Sequence, residues 1–258
     1  MVHGVSINLT GKVALVTGGG YGMGRATALR FAESGAAVVV ADVDSVTGSD
    51  TVRMIESAGG AAAFAHVNVG TPQGAQEMVD VVRRTYGGLD FAHNNAGIVM
   101  PAKRFEDYPE EAWEDVIRTN LTGVFLSMKY EIPVIAERGG GAIINVASES
   151  TYKGNVADLG YTASKHGVVG LTTVAALQCI SRNIRVNAVS PGNVDTGIIE
   201  RARLHVDETT MHQIEKAQPI GRLSRPEEIA EIVVWLCTDS AVLVNGAKIA
   251  ADTGWHVS

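Results

Sequence analysis

Short apolar segments alternate with longer amphipathic segments through nearly the whole chain. The apolar segments are continuous, a pattern typical of strands that are buried on both faces of a parallel sheet. The predicted strands are 12–17, 36–42, 61–67, 89–95, 141–147, 184–190 and 247–252. Between them, apolar residues recur every three to four positions, and the predicted helices are 22–34, 45–58, 72–86, 110–138, 161–181 and 226–238. This alternation predicts an α/β fold, with one doubly wound parallel sheet of about seven strands and helices on both faces.

No linker, repeat or low-complexity segment interrupts this alternation, so we predict one domain over residues 1–258. The least regular segment, 193–223, mixes apolar residues with charges of both signs. A loop of this length inside a compact domain is usually functional, and we predict a substrate lid here. An amphipathic pair of surface helices remains the alternative. His205 and His212 lie in this segment without a metal-ligand spacing, so we expect no metal site.

Five glycines lie within residues 18–24, directly after the first predicted strand. Gly18, Gly22 and Gly24 fit the pattern G-x-x-x-G-x-G and not the common G-x-G-x-x-G. A turn between a strand and a helix presents backbone amides and the positive end of the helix to an anionic group. A plain flexible turn is the alternative reading. Asp42, at the end of the second predicted strand, favours a dinucleotide, because a carboxylate there can bind ribose hydroxyls.

Tyr161 and Lys165 are four residues apart at the head of a predicted helix and therefore share one face. A phenol is a poor base at neutral pH, but a nearby ammonium favours the phenolate and lowers its pKa. Ser148 follows the fifth predicted strand, at the edge of the sheet where doubly wound proteins bind ligands. These three residues are candidates for proton transfer to or from a substrate oxygen.

Composition limits the class of protein. The formal net charge of −7 over 258 residues argues against non-specific binding to nucleic acid. Cys179 and Cys237, the two cysteines, lie among apolar neighbours, which indicates reduced thiols in the core. Neither a signal-peptide pattern nor an apolar run long enough to span a membrane occurs, so we expect a soluble cytoplasmic protein.

Several motifs occur together in a fixed order, and with them the chain resembles the short-chain dehydrogenase/reductase family, in its shorter single-domain branch. The resemblance covers essentially the whole chain. The motifs that carry it are the turn from Thr17 to Gly24, the sequence NNAG at 94–97, Asn120, Ser148 placed 13 residues before Tyr161, and SPGNVDT at 190–196. The C-terminal sequence VNGAKIAADTGW also resembles the family's usual ending, with substitutions.

The resemblance implies a Rossmann-like fold and an NAD-dependent oxidoreductase that transfers a hydride between nicotinamide and a secondary alcohol or ketone. It implies that Tyr161 is the general acid and base. Lys165 would lower the pKa of Tyr161 and bind the nicotinamide ribose. Ser148 would orient the substrate oxygen, and Asn120 would support a water-linked proton path to Lys165.

The resemblance also implies a set of cofactor-binding residues. They are Gly18, Tyr21, Gly22, Met23, Gly24, Asp42, Asn68, Val69, Asn95, Ala96, Gly97, Tyr161, Lys165, Pro191, Gly192, Val194 and Thr196. Asn68 stands where the family often has Asp, and we expect a modest effect on adenine contact. Asp42 would repel the extra phosphate of NADP, and Tyr21 stands where NADP-using relatives often carry a basic residue. We therefore expect NAD, although Arg25 is a basic residue close by in sequence.

Two other functions share parts of these motifs. A sugar-nucleotide epimerase or dehydratase has the Tyr-Lys pair but a larger C-terminal region, and a dinucleotide-sensing regulator has the fold without catalysis. By resemblance we expect a homotetramer that contacts its copies through helices 110–138 and 161–181. The substrate class is left open between ring-bearing or acyl ketones, steroid-like alcohols and polyols. The expected pocket segments are 98–105, 149–159 and 193–218.

Overall fold

Seven parallel strands form one sheet, and each predicted strand is present within two residues of its predicted bounds. The structure is a computed structural model that describes residues 7–100, 103–152, 159–197, 215–216 and 218–258. The strands are β1 Val13–Thr17, β2 Ala37–Asp42, β3 Ala62–His66, β4 Phe91–Asn94, β5 Gly141–Val146, β6 Ile184–Pro191 and β7 Lys248–Ala251. Their order across the sheet is β3-β2-β1-β4-β5-β6-β7. This confirms the predicted doubly wound parallel sheet.

The helices of the described residues cover both faces of the sheet. They are α1 Gly22–Glu33, α2 Ser45–Ser57, α3 Pro72–Tyr86, α4 Glu110–Ile117, α5 Gly123–Glu137, α6 Leu159–Cys179 and α7 Pro226–Leu236. The prediction of one continuous helix over 110–138 is wrong in one respect. A π-helical turn, Arg118–Thr122, separates α4 from α5 and carries the fully buried Asn120. Such single-turn insertions occur frequently at functional sites.

Two hydrophobic cores lie on opposite faces of the sheet, and β1 contributes to both. Val13 and Leu15 pack into the core under α3, α5 and α6. Ala14 and Val16 pack into the core under α1 and α7. All four side chains are buried, which explains why the strand is continuously apolar. Both cysteines are free and buried, as predicted.

The strand order reverses at β1, which pairs with β2 on one side and β4 on the other. Connections therefore leave β1 and β4 toward opposite faces of the sheet, and a crevice opens outside their carboxyl ends. The glycine turn after β1 and the NNAG segment after β4 both lie at this crevice.

Candidate active site

The glycine turn after β1 has a backbone that other residues would strain. Gly18 and Gly22 have φ values of +62° and +53°, in the left-handed region that favours glycine. A Cβ on Gly24 would lie 2.1 Å from the carbonyl oxygen of Gly18. Glycine at position 24 therefore lets the first turn of α1 pack directly against the loop that enters it. Tyr21 occupies the N-cap position of α1, but its side chain makes no capping hydrogen bond to the first amides of the helix.

A cavity of about 540 Å³ lies at this turn. The predicted cofactor-binding residues that line it are Gly18, Tyr21, Gly22, Met23, Asp42, Asn68, Val69, Asn95, Ala96, Gly97 and Thr196. Further lining residues that sequence reasoning missed include Val43, Val67 and Thr119. Each of these directly adjoins a predicted residue, so its position in the chain is the signal that could have identified it.

Asp42 lies at the carboxyl end of β2 with both carboxylate oxygens held by backbone amides. The amide of Gly20 donates to Oδ2 at 2.8 Å, and the amide of Asp44 donates to Oδ1 at 3.0 Å. These two bonds fix the carboxylate at the wall of the cavity.

The Arg25 guanidinium is directed toward α2. Its Nε donates to the Thr51 hydroxyl at 3.1 Å, and its Nη2 donates to the carbonyls of Gly20 and Thr47. Arg25 is not among the described residues that line the cavity. The objection that Arg25 provides a phosphate-binding cation next to Asp42 is therefore weakened.

The segment after β4 is bonded to the glycine turn. The Thr17 hydroxyl accepts hydrogen bonds from the amides of Asn95 and Ala96 at 3.0 and 3.1 Å. The Asn95 side-chain amide donates back to the carbonyls of Thr17 and Gly18 at 3.0 and 3.2 Å. The two loops that bound the cavity are therefore held together by four hydrogen bonds.

Asn120 anchors the continuation of the same segment. Its side-chain oxygen accepts from the amide of Ile98 at 2.8 Å, and its side-chain amide donates to the carbonyl of Ile98 at 2.9 Å. A second, longer bond runs from this amide to the Ser164 hydroxyl at 3.3 Å. The side chain is thus used to position the backbone at residue 98, which the sequence motif alone did not indicate.

Lys165 lies fully within the protein, one helical turn from Tyr161 on α6. Its Nζ donates to the carbonyl of Val146 at 2.8 Å and lies 5.4 Å from the centroid of the Tyr161 ring. Burial lowers the pKa of Lys165 to about 8, because the charged form loses its hydration. A Cβ on Gly97 would lie 3.6 Å from Nζ, so the NNAG segment passes directly beside the ammonium.

Ser148 is buried directly after β5 and begins a short 3₁₀ turn, Glu149–Thr151. Its hydroxyl donates to Oε2 of Glu149 at 2.9 Å, and its oxygen accepts from the amide of Ser150 at 3.1 Å. The serine is therefore at the same edge of the sheet as Lys165, at the end of the strand whose last carbonyl binds the lysine.

The segment after β6 closes another side of the site. Val194 pairs with Ser224 in a single parallel β-bridge. Gly192 packs against Asp252, the residue that follows β7. The side chain of Thr196 lies 3.1 Å from the position that a Cβ on Gly22 would occupy, so these two lining residues lie close together at the cavity wall. Pro191 is the last residue of β6. Of the predicted lid at 193–223, residues 198–214 and 217 lie outside the described residues, as do His205 and His212.

None of the helices in the described ranges is both long enough and apolar enough to cross a membrane. Within the same ranges, no group of three or more His, Cys, Asp or Glu side chains is placed to hold a metal ion.

The chain matches known proteins along nearly its whole length. A family model described as enoyl-(acyl carrier protein) reductase matches residues 18–256. The chain is 40% identical over 248 residues to the cyclohexanol dehydrogenase of Acinetobacter sp. (strain SE19), covering 96% of both chains. It is 37% identical over 248 residues to the 3-oxoacyl-(acyl-carrier-protein) reductase FabG of Thermotoga maritima, covering 96% of this chain and 99% of that protein.

A solved structure shows the same arrangement in three dimensions. The crystal structure of levodione reductase superimposes with a TM-score of 0.93 at 31% sequence identity, covering 96% of this chain and 99% of the other. The fold, the order of the motifs and these relatives agree. The chain belongs to the short-chain dehydrogenase/reductase family of oxidoreductases, which use nicotinamide cofactors.

Proposed function

We propose that this protein is an NAD(H)-dependent oxidoreductase that interconverts a secondary alcohol and its ketone. The 40% identity to a cyclohexanol dehydrogenase, over nearly the whole of both chains, favours a cyclic secondary alcohol as the substrate class. The observation that carries the choice of NAD is the Asp42 carboxylate, held at the cavity wall by the amides of Gly20 and Asp44.

The predicted residues fit a dinucleotide in this cavity. The glycine turn leaves room for an anionic group beside the N-terminus of α1, whose positive end favours it. Asp42 would accept hydrogen bonds from the adenosine ribose hydroxyls, and Asn68 and Val69 would lie beside the adenine. The Val194 backbone and the Thr196 side chain would hold the nicotinamide carboxamide, next to Pro191 and Gly192.

The residues of the site have separate tasks in the proposed reaction. When bound, the nicotinamide supplies or accepts the hydride. Tyr161 gives its phenolic proton to the substrate oxygen in reduction and takes it back in oxidation. The buried ammonium of Lys165 favours the phenolate, and Ser148 holds the substrate oxygen in place. Asn120 fixes the backbone at Ile98 and would support a water-linked proton path to Lys165.

The charge of Asp42 predicts the size of the coenzyme preference. NADP would place a phosphate of charge near −2 close to this carboxylate. At about 4 Å and an effective dielectric constant of about 20, each pair of unit charges repels by roughly 4 kcal/mol, and the phosphate contributes nearly two such pairs. Screening and side-chain movement reduce this to about 2–4 kcal/mol, or about 30- to 1000-fold in kcat/KM.

The test compares NAD and NADP with a panel of cyclic and linear secondary alcohols. Asp42→Asn keeps an acceptor for the Gly20 amide but removes the charge, so the preference for NAD should fall strongly. Asp50→Asn is the matched control, because Asp50 is a carboxylate on α2 that does not line the cavity. Equal use of both coenzymes by the wild type, or an unchanged ratio in Asp42→Asn, would refute the proposal.

The same assay separates the alternative functions. A dehydrogenase consumes one NAD for each ketone that it forms, whereas an epimerase returns its nicotinamide to the starting state in every cycle. A non-catalytic dinucleotide sensor would bind coenzyme without turnover. A 3-oxoacyl thioester in the substrate panel tests the activity named for the T. maritima relative.

We also infer that the protein is a homotetramer. Exposed apolar side chains on two adjacent helices support this, namely Phe125 on α5 and Val174 and Leu177 on α6, which are 47%, 53% and 69% exposed. Burying such side chains against a second copy would remove apolar surface from water. Multi-angle light scattering measures the mass directly, and a monomeric mass would contradict this inference.

A further inference from the structure

The hydrogen-bonding capacity of Ser148 is nearly exhausted within the protein. A hydroxyl has one hydrogen to donate and two lone pairs that accept. Ser148 donates its hydrogen to Oε2 of Glu149 at 2.9 Å and accepts one hydrogen bond from the Ser150 amide at 3.1 Å. The second lone pair has no partner among the described residues.

A substrate ketone cannot be held by that lone pair. A carbonyl oxygen is an acceptor, and the negative charge that develops on it during hydride addition needs a hydrogen-bond donor. Ser148 can orient the substrate oxygen only if its hydrogen leaves Glu149. The role of Ser148 in the proposed reaction therefore depends on whether the carboxyl of Glu149 is protonated.

Glu149 lies in surroundings that favour the protonated acid. Its partial burial, reinforced by the nearby negative charge of Asp252, raises the pKa of the carboxyl above its ordinary value of 4.5. Asp252 is itself buried after β7 and accepts from Nδ1 of His256 at 2.8 Å.

Other charged or titratable groups surround the turn that carries Glu149. This turn packs against α6 and against β6, whose last residues, Ser190 and Pro191, carry no charge. The described titratable groups of the surrounding elements are Tyr161, Lys165, His166 and Cys179 on α6, Arg185 on β6, Tyr152 after the turn, Lys248 on β7, and Asp252 and His256 near the C-terminus.

We propose that Glu149 is a positioning residue whose protonation determines whether Ser148 can donate its hydrogen to the substrate oxygen. The protonated carboxyl has its own O–H, which donates to the remaining lone pair of Ser148 and releases the serine hydrogen toward the substrate. The ionised carboxylate has only acceptors and retains the serine hydrogen. This inference rests on the proposed function, because it assigns the substrate oxygen to Ser148.

The direction of the pH effect follows from this exchange. As pH rises through the raised pKa of Glu149, the carboxylate forms and holds the serine hydrogen in a charge-assisted hydrogen bond. Breaking such a bond for each substrate molecule should lower kcat/KM for ketone reduction about tenfold to a hundredfold. The loss is separate from any ionisation of Tyr161.

The experiment measures kcat/KM for ketone reduction from about pH 4.5 to about pH 9, a range that begins at the ordinary pKa of a glutamate carboxyl, in the wild type and in Glu149→Gln. The glutamine amide can donate to Ser148 at every pH, so the ratio of variant to wild type should rise about tenfold to a hundredfold across this range. Tyr161 is present in both proteins and cancels in the ratio. Glu56→Gln, which replaces an exposed carboxyl on α2, is the control and should give a constant ratio.

Two further variants distinguish a folding defect from the proposed role of Glu149. If Glu149→Gln does not fold, Glu149→Ala also leaves the serine hydrogen free and should give the same rising ratio. In a Ser148→Ala background, replacing Glu149 should leave the shape of the pH profile unchanged, because the two residues act through one hydrogen bond.

The outcomes separate this inference from the proposed function. A ratio that is constant with pH for both Glu149 variants, in an enzyme that turns over ketones, overturns the inference alone. A wild type that turns over no alcohol or ketone overturns the proposed function and this inference with it. A rising ratio that persists without Ser148 shows that Glu149 acts on another group, and also overturns the inference.

Discussion

Replacing the buried carboxyl of Glu131 should change how the stability of the protein depends on pH. Glu131 lies on α5 and is fully buried. Its Oε2 accepts from the side-chain amide of Asn94 at 3.0 Å, whereas its Oε1 has no hydrogen-bond partner among the described residues. Burial raises the pKa of Glu131 from 4.5 to about 8, so the folded protein keeps this carboxyl protonated at neutral pH.

The size of the effect follows from the two pKa values. In the unfolded chain the carboxyl ionises near pH 4.5. Between pH 4.5 and about pH 8, the folded state therefore binds a proton that the unfolded state has lost. The free energy of unfolding therefore falls as pH rises through this range. At 1.36 kcal/mol for each pKa unit, the loss is about 3 kcal/mol at pH 7 and about 4 kcal/mol at pH 8.

Glu131→Gln removes this loss, because an amide does not ionise. The glutamine oxygen can still accept from the side-chain amide of Asn94, as Oε2 of Glu131 does. We expect the variant to exceed the stability of the wild type by about 1 kcal/mol at pH 5 and by about 4 kcal/mol at pH 8.

Urea unfolding followed by far-ultraviolet circular dichroism measures the difference, at one protein concentration because assembly also shifts stability. Glu137→Gln is the control on the same helix. Glu137 is exposed, and its hydrogen bond with Arg83 lowers its pKa, so any effect should be small and of opposite sign. A stability difference between Glu131→Gln and the wild type that stays constant from about pH 5 to about pH 8 would refute the reasoning.

Buried His93, next to Asn94, does not interfere with this comparison. Burial, together with the positive charge of Lys165, lowers the pKa of His93 from 6.5 to about 3, so the folded protein holds it neutral. Keeping His93 neutral adds to the free energy of unfolding above pH 6.5, and this contribution is lost as the pH falls from 6.5 toward about 3. Both proteins contain His93, and its contribution cancels in the difference.

Three further substitutions test the site. Tyr161→Phe should lower kcat by about 10²–10⁴-fold while leaving NADH affinity, measured by fluorescence titration, nearly unchanged, because only the proton partner is lost. Lys165→Met should lower both kcat and NADH affinity, and unchanged affinity would exclude the proposed ribose contact. Gly24→Ala should abolish coenzyme binding or folding, because its Cβ would lie 2.1 Å from the Gly18 oxygen. Gly170→Ala on α6, where a Cβ meets nothing within 4 Å, should fold normally.

The hydrophobic pattern predicts the strands well because each strand of this sheet is covered on both faces. β1 is the plainest case, since all five of its residues are buried. The π-helical turn at 118–122 could not be predicted in this way, because the helices on either side of it keep their apolar faces. Asn120 within the turn pairs with the backbone of Ile98, a contact between residues 22 positions apart that local periodicity does not reveal.

The cavity residues could be predicted because parallel strands bring their carboxyl ends to one edge. Asp42 and Asn95 follow different strands, yet both line the same cavity. The sequence contains no comparable indication of the contact between Asn94 and Glu131. It arises where β4 packs on α5, and nothing in the sequence distinguishes the buried carboxyl of Glu131 from the exposed carboxyl of Glu137 on the same helix.

The two halves of the candidate site differ in how their polar groups are fixed. On the coenzyme side, backbone amides bind the Asp42 carboxylate and the Thr17 hydroxyl, so these groups are oriented before a ligand arrives. On the substrate side, Lys165 and Glu149 both have pKa values that burial moves toward neutrality. Protonation can therefore change the hydrogen bonds that meet the substrate oxygen while the coenzyme cavity keeps its shape. If the proposed function is correct, we therefore expect the pH dependence of turnover to originate in the substrate half of the site.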